Sequence, residues 1–111
     1  MAQAARESIT GVAPETDNRI FMLRDAIDAS TIGPLRQRLM DHLDAYGPQI
    51  WIDLGGVDFI DSTGLGALVG LLREARDRGG DVRLLHPTRQ VRRIFQITGL
   101  ERLFPIEGAS A

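Results

Sequence analysis

Cysteine is absent from the 111 residues, and so is lysine. Without cysteine the chain has no disulfide, no thiol nucleophile and no Cys-ligated metal. Without lysine, all 13 basic side chains are arginine, a compositional bias to which no function attaches. No apolar run approaches the roughly 20 residues of a membrane-spanning helix. The opening residues, Met1-Ala2-Gln3-Ala4-Ala5-Arg6-Glu7, lack the apolar centre of a signal peptide. Repeats, low-complexity tracts and linkers are missing too. A formal net charge of −2 supplies no strong attraction to nucleic acid or anionic lipid. Two histidines and scattered aspartates show no metal-ligand spacing. The expectation is a soluble cytoplasmic protein with no metal, no membrane contact and no direct contact with nucleic acid.

What remains is a chain that is 43% hydrophobic, long enough for one domain with one core and too short for two. Residues 1–17 are small and polar, with a weak edge-strand signal over 8–12. Residues 19–24 form a strand candidate whose apolar centre implies burial on both faces. A loop over 25–30 leads to a helix over about 31–46. Ser30 or Thr31 can cap it, and Pro34 falls in its first turn. Ile32, Leu35, Leu39, Leu43 and Tyr46 share one face, and Gly47-Pro48 ends the helix. The second strand spans 49–54, with Gly55-Gly56 as a turn behind it.

The next helix runs from Ser62 to about Arg78 and is stopped by Gly79-Gly80. Its apolar stripe is Leu65, Leu68, Val69, Leu72 and the stem of Arg76. A third strand over 81–86 ends at Pro87. Thr88 then caps a short helix with Val91, Ile94, Phe95 and Thr98 inward, closed by Gly99-Leu100. Residues 103–106 can add an edge strand, and 107–111 are tail. Strands alternating with helices predict an α/β domain over 18–106. Its sheet is small and mixed, of about four to five strands, parallel in part, with helices packed mainly on one face.

The chemistry concentrates in Phe59-Ile60-Asp61-Ser62-Thr63-Gly64-Leu65-Gly66-Ala67-Leu68, where a strand gives way to a helix. Asp61 or Ser62 caps that helix. The free N–H groups of the first turn favour a negative group there. The Ser62 hydroxyl therefore has two readings, a helix cap or the acceptor of a phosphate. Thr63 is a second hydroxyl, more restricted because it is β-branched. Along the same helix Ser62, Gly66, Gly70 and Arg73 form a stripe of mostly small residues that another backbone could approach.

Three further readings carry less. A serine nucleophile would need His42 or His86 as its base, and Asp-Ser-Thr-Gly-Leu-Gly lacks the Gly-x-Ser-x-Gly elbow. Gly64 and Gly66 resemble a fragment of a phosphate loop but lack its Gly-Lys-Ser/Thr ending. Arg89, Arg92 and Arg93 form a basic cluster that is either a solvated face or a contact for an acidic partner.

Three blocks taken together resemble a STAS domain, and more narrowly the bacterial anti-sigma-factor antagonists. They are Asp28, the run from Asp53-Leu54-Gly55-Gly56-Val57-Asp58 through Asp61-Ser62-Thr63-Gly64-Leu65-Gly66, and Val91-Arg92-Arg93-Ile94-Phe95-Gln96-Ile97-Thr98-Gly99-Leu100. The resemblance covers about residues 18–106. It implies a partner switch in transcription regulation and stress response. The unphosphorylated antagonist binds an anti-sigma factor that is also a serine kinase of the histidine-kinase-like ATPase type, and a sigma factor is freed. Phosphorylation then releases the antagonist, and a metal-dependent serine phosphatase restores it.

On that resemblance Ser62 matches the modified position, Asp28 matches a family aspartate near it, and Asp61 precedes the serine as the pattern expects. Asp28, Asp61, Ser62, Thr63, Gly64, Gly66, Gly70 and Arg73 become the expected partner-binding residues. ATP belongs to the kinase, so this chain has no cofactor, no catalytic residue and no small-molecule substrate of its own. Two departures stand out. Asp25 occupies the place of a family glycine, and little chain remains for the family's last helix. The rival within the fold is a STAS subunit of a lipid-transport or stress-signalling complex that works without phosphorylation.

Overall fold

Strand and helix alternate along residues 20–107, the part of the chain that the computed structural model describes. The order is β1 (Ile20–Ile27), α1 (Ile32–Tyr46), β2 (Gln49–Ile60), α2 (Ser62–Asp77), β3 (Asp81–Leu85), α3 (Arg89–Thr98), a 3-10 turn (Leu100–Arg102) and β4 (Ile106–Glu107). The edge strand expected over 8–12 lies outside the described residues, as does 108–111. Glu107, expected in the tail, belongs to β4 and pairs with Arg83 at 2.9 Å.

The sheet order is β1-β2-β3-β4, and each neighbouring pair is parallel. The expected mixed sheet is therefore parallel throughout the described residues. Each strand reaches the next through a helical crossover, which returns the chain to the same end of the sheet. Crossovers that step in one direction with one handedness put their helices on one face. The core agrees. Ile50, Ile52 and Leu54 of β2 and Val82 and Leu84 of β3 join one cluster with Leu35, Leu39 and Leu43 of α1, Leu68 and Leu72 of α2, and Val91 and Phe95 of α3.

Several boundaries differ from expectation, each for a local reason. β1 does not stop at residue 24. It continues through Asp25, whose φ of 65° lies in the left-handed region, and its pairing with β2 shifts register on both sides of that residue. β1 is not buried on both faces either, because Met22 is 63% exposed. Gly55-Gly56 is no turn, and β2 runs through it to Ile60. A Cβ on Gly56 would stand 3.1 Å from the Leu23 carbonyl oxygen, so the missing side chain lets β1 approach where the ladder is irregular. β3 ends at Leu85, one residue early, and His86 turns left-handed with φ 54°.

In α2, Leu71 is buried while Val69 is only half-buried and Arg76 is exposed, so the apolar face is rotated from the expected stripe. In α1, Tyr46 is 50% exposed at the last turn. Thr88 does cap α3, accepting from the Val91 N–H at 3.2 Å, and Gly99 closes it with φ 76°. Thr98, expected inward, is exposed and returns its hydroxyl to the Ile94 carbonyl at 2.8 Å. Beyond α3, Phe104 packs edge-on to Phe95 with ring centroids 5.8 Å apart, which anchors the segment that leads to β4.

Candidate functional site

The site is built where β1 and β2 end side by side. Ile27 is opposite Ile60 in the ladder, and the Asp61 N–H donates to the Ile27 carbonyl at 3.1 Å. One residue further along each strand, Asp28 and Asp61 leave the sheet. Asp61 keeps an extended backbone, and its carboxylate accepts from the Gly64 N–H at 3.0 Å. It is the N-cap of α2, worth about 1 kcal/mol by the usual cost of losing such a cap.

That settles the choice between Asp61 and Ser62. Because Asp61 caps the helix, Ser62 becomes its first residue, is exposed, and has no hydrogen bond on its hydroxyl among the described residues. The positive end of the α2 dipole lies beside it. Thr63 is exposed next to it.

Gly64 is turned the other way. It is buried, and a Cβ there would fall 2.7 Å from the Ile27 carbonyl oxygen and 2.9 Å from Cγ1 of Ile60. Its lack of a side chain lets α2 start tight against the strand ends.

Asp28 is held by its own turn. One carboxylate oxygen accepts from the Ser30 hydroxyl at 2.7 Å and the Ser30 N–H at 2.9 Å. The Ser30 side chain, and then its N–H, hold the Asp28 carboxyl below its ordinary range. Thr31, expected as an N-cap of α1, makes no side-chain cap bond. Its hydroxyl accepts from the Asp28 N–H at 3.0 Å and donates to the Ala26 carbonyl at 3.1 Å. Sequence reading passed over Ser30 and Thr31 as parts of the site. The signal was an aspartate followed two and three residues later by hydroxyls, the pattern of a side-chain-closed turn.

Ser62, Gly66, Gly70 and Arg73 are all exposed along α2. A Cβ on Gly66 or Gly70 meets nothing within 4 Å. Both glycines line a groove of ≈ 440 Å³ between α1 and α2, with Arg36, Met40 and Glu74 among its walls. The histidines do not serve the serine. His42 stacks edge-on to Phe21 at 5.1 Å and against Tyr46 at 4.8 Å. The His86 Nδ1 is 3.5 Å from the Asp53 carboxylate. Neither hydrogen-bonds Ser62, so no nucleophile–base pair forms. Among the described residues, no group of three metal-ligating side chains occurs and no helix is long and apolar enough to cross a membrane.

Residues 9–110 match the family model described as the STAS domain. This chain belongs to the STAS-domain family. It is 32% identical over 93 residues to the anti-sigma-B factor antagonist of Listeria monocytogenes, covering 84% of this chain and 82% of that one. With the anti-sigma-B factor antagonist of Bacillus subtilis the identity is 34% over 84 residues, covering 76% of each. These identities place the STAS domain among the anti-sigma-factor antagonists, relatives named for a regulatory role and not for a catalysed reaction.

The crystal structure of an anti-sigma factor antagonist from Mycobacterium paratuberculosis superposes with a TM-score of 0.71 at 26% identity, over 79% of this chain and 74% of that one. The antagonist SpoIIAA in its unphosphorylated form shares the fold, with a TM-score of 0.68 at 24% identity over 83% and 78%.

Proposed function

We propose that this STAS domain is a cytoplasmic anti-sigma-factor antagonist switched by phosphorylation of Ser62. With the hydroxyl free, it binds an anti-sigma factor that is also a serine kinase, and a sigma factor is released. The kinase transfers the γ-phosphoryl group of its own ATP to Ser62 Oγ: the new P–O bond forms as the bond between the γ-phosphorus and the bridging oxygen breaks, ADP leaves, and the hydroxyl proton passes to a base or to water. A serine phosphatase reverses the change by hydrolysis. The observation that carries this reading is the exposed Ser62 hydroxyl, without a hydrogen bond among the described residues and left available because Asp61 takes the capping role.

The physics supports a switch that needs little movement. A phosphoserine adds about −1.5 to −2 charges, and the N-terminus of α2 accommodates them. Asp61 precedes the serine, and the Ile27–Asp61 hydrogen bond brings the Asp28 turn beside it. A partner surface fitted to a bare hydroxyl and two carboxylates would then meet a dianion. Thr63, Gly66, Gly70 and Arg73 extend the contact along α2, and the glycines let a partner backbone come close.

The test mixes the pure protein with the candidate anti-sigma kinases of the same cell and ATP, then reads intact mass and the modified residue. One phosphate on Ser62, absent in Ser62→Ala, with Ser62→Asp weakening the complex, is the expected result. Modification of Thr63 alone moves the site. Failure to bind any such kinase rejects the reading in favour of a STAS subunit in a transport or scaffold assembly.

A further inference from the structure

At the Ser62 corner, every polar atom of Asp28 but one is engaged within the chain. Its N–H donates to the Thr31 hydroxyl at 3.0 Å. Its carbonyl oxygen accepts from the N–H groups of Thr31 and Ile32 at 3.0 and 2.9 Å, which sets the start of α1. Its Oδ1 accepts from the Ser30 N–H at 2.9 Å and the Ser30 hydroxyl at 2.7 Å, and these two donors fill the lone pairs of that oxygen. Oδ2 is left over: no donor among the described residues meets it.

The two hydroxyls of this turn do different work. Thr31 ties the backbone down, since its hydroxyl also donates to the Ala26 carbonyl of β1 at 3.1 Å. The Ser30 hydroxyl bonds no helix N–H and no strand carbonyl; it acts on the Asp28 carboxylate alone. An aspartate side chain turns about two torsions when nothing holds it. Here one oxygen is gripped by two donors from one residue, and Oδ2 is the oxygen the turn presents. The turn itself is fixed beside the start of α2 by the bond from the Asp61 N–H to the Ile27 carbonyl at 3.1 Å.

We infer that Ser30 is a positioning residue for partner recognition: it holds the Asp28 carboxylate so that Oδ2 alone is offered to the kinase, which meets it with a one-point donor such as a lysine ammonium. This role rests on the Ser62 reading and adds to it what the partner must carry. A guanidinium binds a carboxylate best as a fork, with one N–H to each oxygen. With both lone pairs of Oδ1 filled, the fork loses a prong, whereas an ammonium needs one oxygen only. Asp61, whose Oδ1 is taken by the Gly64 N–H, adds a second negative charge at the same corner. Holding the carboxylate before the partner arrives lowers the ordering cost of binding.

The experiment is a calorimetric titration of the whole protein against its kinase, with ADP in place of ATP so that no phosphate is transferred. Ser30→Ala should bind about two- to tenfold more weakly than wild type, and Ser30→Thr, which keeps the hydroxyl, should restore the affinity. Asp28→Asn keeps a carbonyl oxygen for the Ser30 bonds but puts a donor in place of Oδ2. It should bind about tenfold to a hundredfold more weakly. Ser30→Ala added to Asp28→Asn should cost nothing further, because Ser30 acts through the oxygen already lost. A general loosening of the turn would instead weaken both backgrounds alike.

Wild-type affinity in Ser30→Ala or in Asp28→Asn, or an equal loss from Ser30→Ala in both backgrounds, overturns the positioning role. If Ser62→Asp still weakens the complex in the same titration, the Ser62 reading stands without it. Tighter binding by Ser30→Ala means that a forked donor reaches both oxygens, and this too overturns it. No binding of wild type to the kinase overturns both.

Discussion

Alanine at Gly66 and Gly70 should make the free protein more stable and its complex weaker. Both glycines lie inside α2, are exposed, and have open space where a Cβ would go. Glycine in such a position costs about 0.5–1 kcal/mol relative to alanine, because the unfolded chain has more freedom to lose. The double variant should gain about 1–2 kcal/mol, which for a domain of this size raises the melting midpoint by roughly 5–10 °C. The same two methyl groups stand on the face assigned to the kinase. If a partner backbone packs there, overpacking of about 1–3 kcal/mol is expected, a loss of about fivefold to more than a hundredfold in affinity.

Gly64→Ala supplies the contrast, since its Cβ would meet the Ile27 carbonyl oxygen at 2.7 Å and should cost stability. Thermal unfolding by circular dichroism and calorimetric titration against the kinase read the two effects separately. A lowered midpoint for Gly66→Ala/Gly70→Ala would refute the open-space argument. A raised midpoint with unchanged affinity would remove the glycine stripe from the interface.

Asp61→Ala should lose about 1 kcal/mol in urea unfolding, because the bond from the Gly64 N–H is the cap of α2. Asp25→Gly should gain about 0.5–1 kcal/mol, since φ 65° strains any residue with a Cβ, while Asp25→Val should lose about as much. The Asp28 carboxyl is held below its ordinary value of 3.8, first by the Ser30 hydroxyl and then by its N–H. A lowered folded-state pKa contributes stability that is present above the unfolded value and is lost as pH falls through the folded one. Ser30→Ala should therefore move the Asp28 titration up toward 3.8 and flatten the acid limb of stability, read by carboxyl chemical shifts and acid unfolding.

The sequence by itself determined the elements and their order, because side-chain period and punctuation are local properties. The α1 repeat Leu35, Leu39, Leu43 is buried as its spacing requires. Pro34, Gly47, Thr88 and Gly99 mark helix ends that the backbone observes. The Asp-Ser-Thr-Gly-Leu-Gly block could be placed at a strand-to-helix corner for the same reason.

What the block does there was a tertiary matter. Local propensity could not choose between Asp61 and Ser62 as cap. The choice follows from Asp61 donating its N–H to Ile27 and leaving the sheet in an extended conformation that turns its carboxylate onto Gly64. Nor could composition tell the three glycines of α2 apart. Gly64 faces two strand ends, whereas Gly66 and Gly70 face open space. The pair at 55–56 read as a turn because glycine usually breaks a strand. It proved to be strand because β1 comes within reach of the Gly56 backbone, a distance that depends on chain more than 20 residues away. Periodicity reports which side of an element is apolar; only packing decides what stands opposite, and at this site that neighbour is what leaves the serine hydroxyl free.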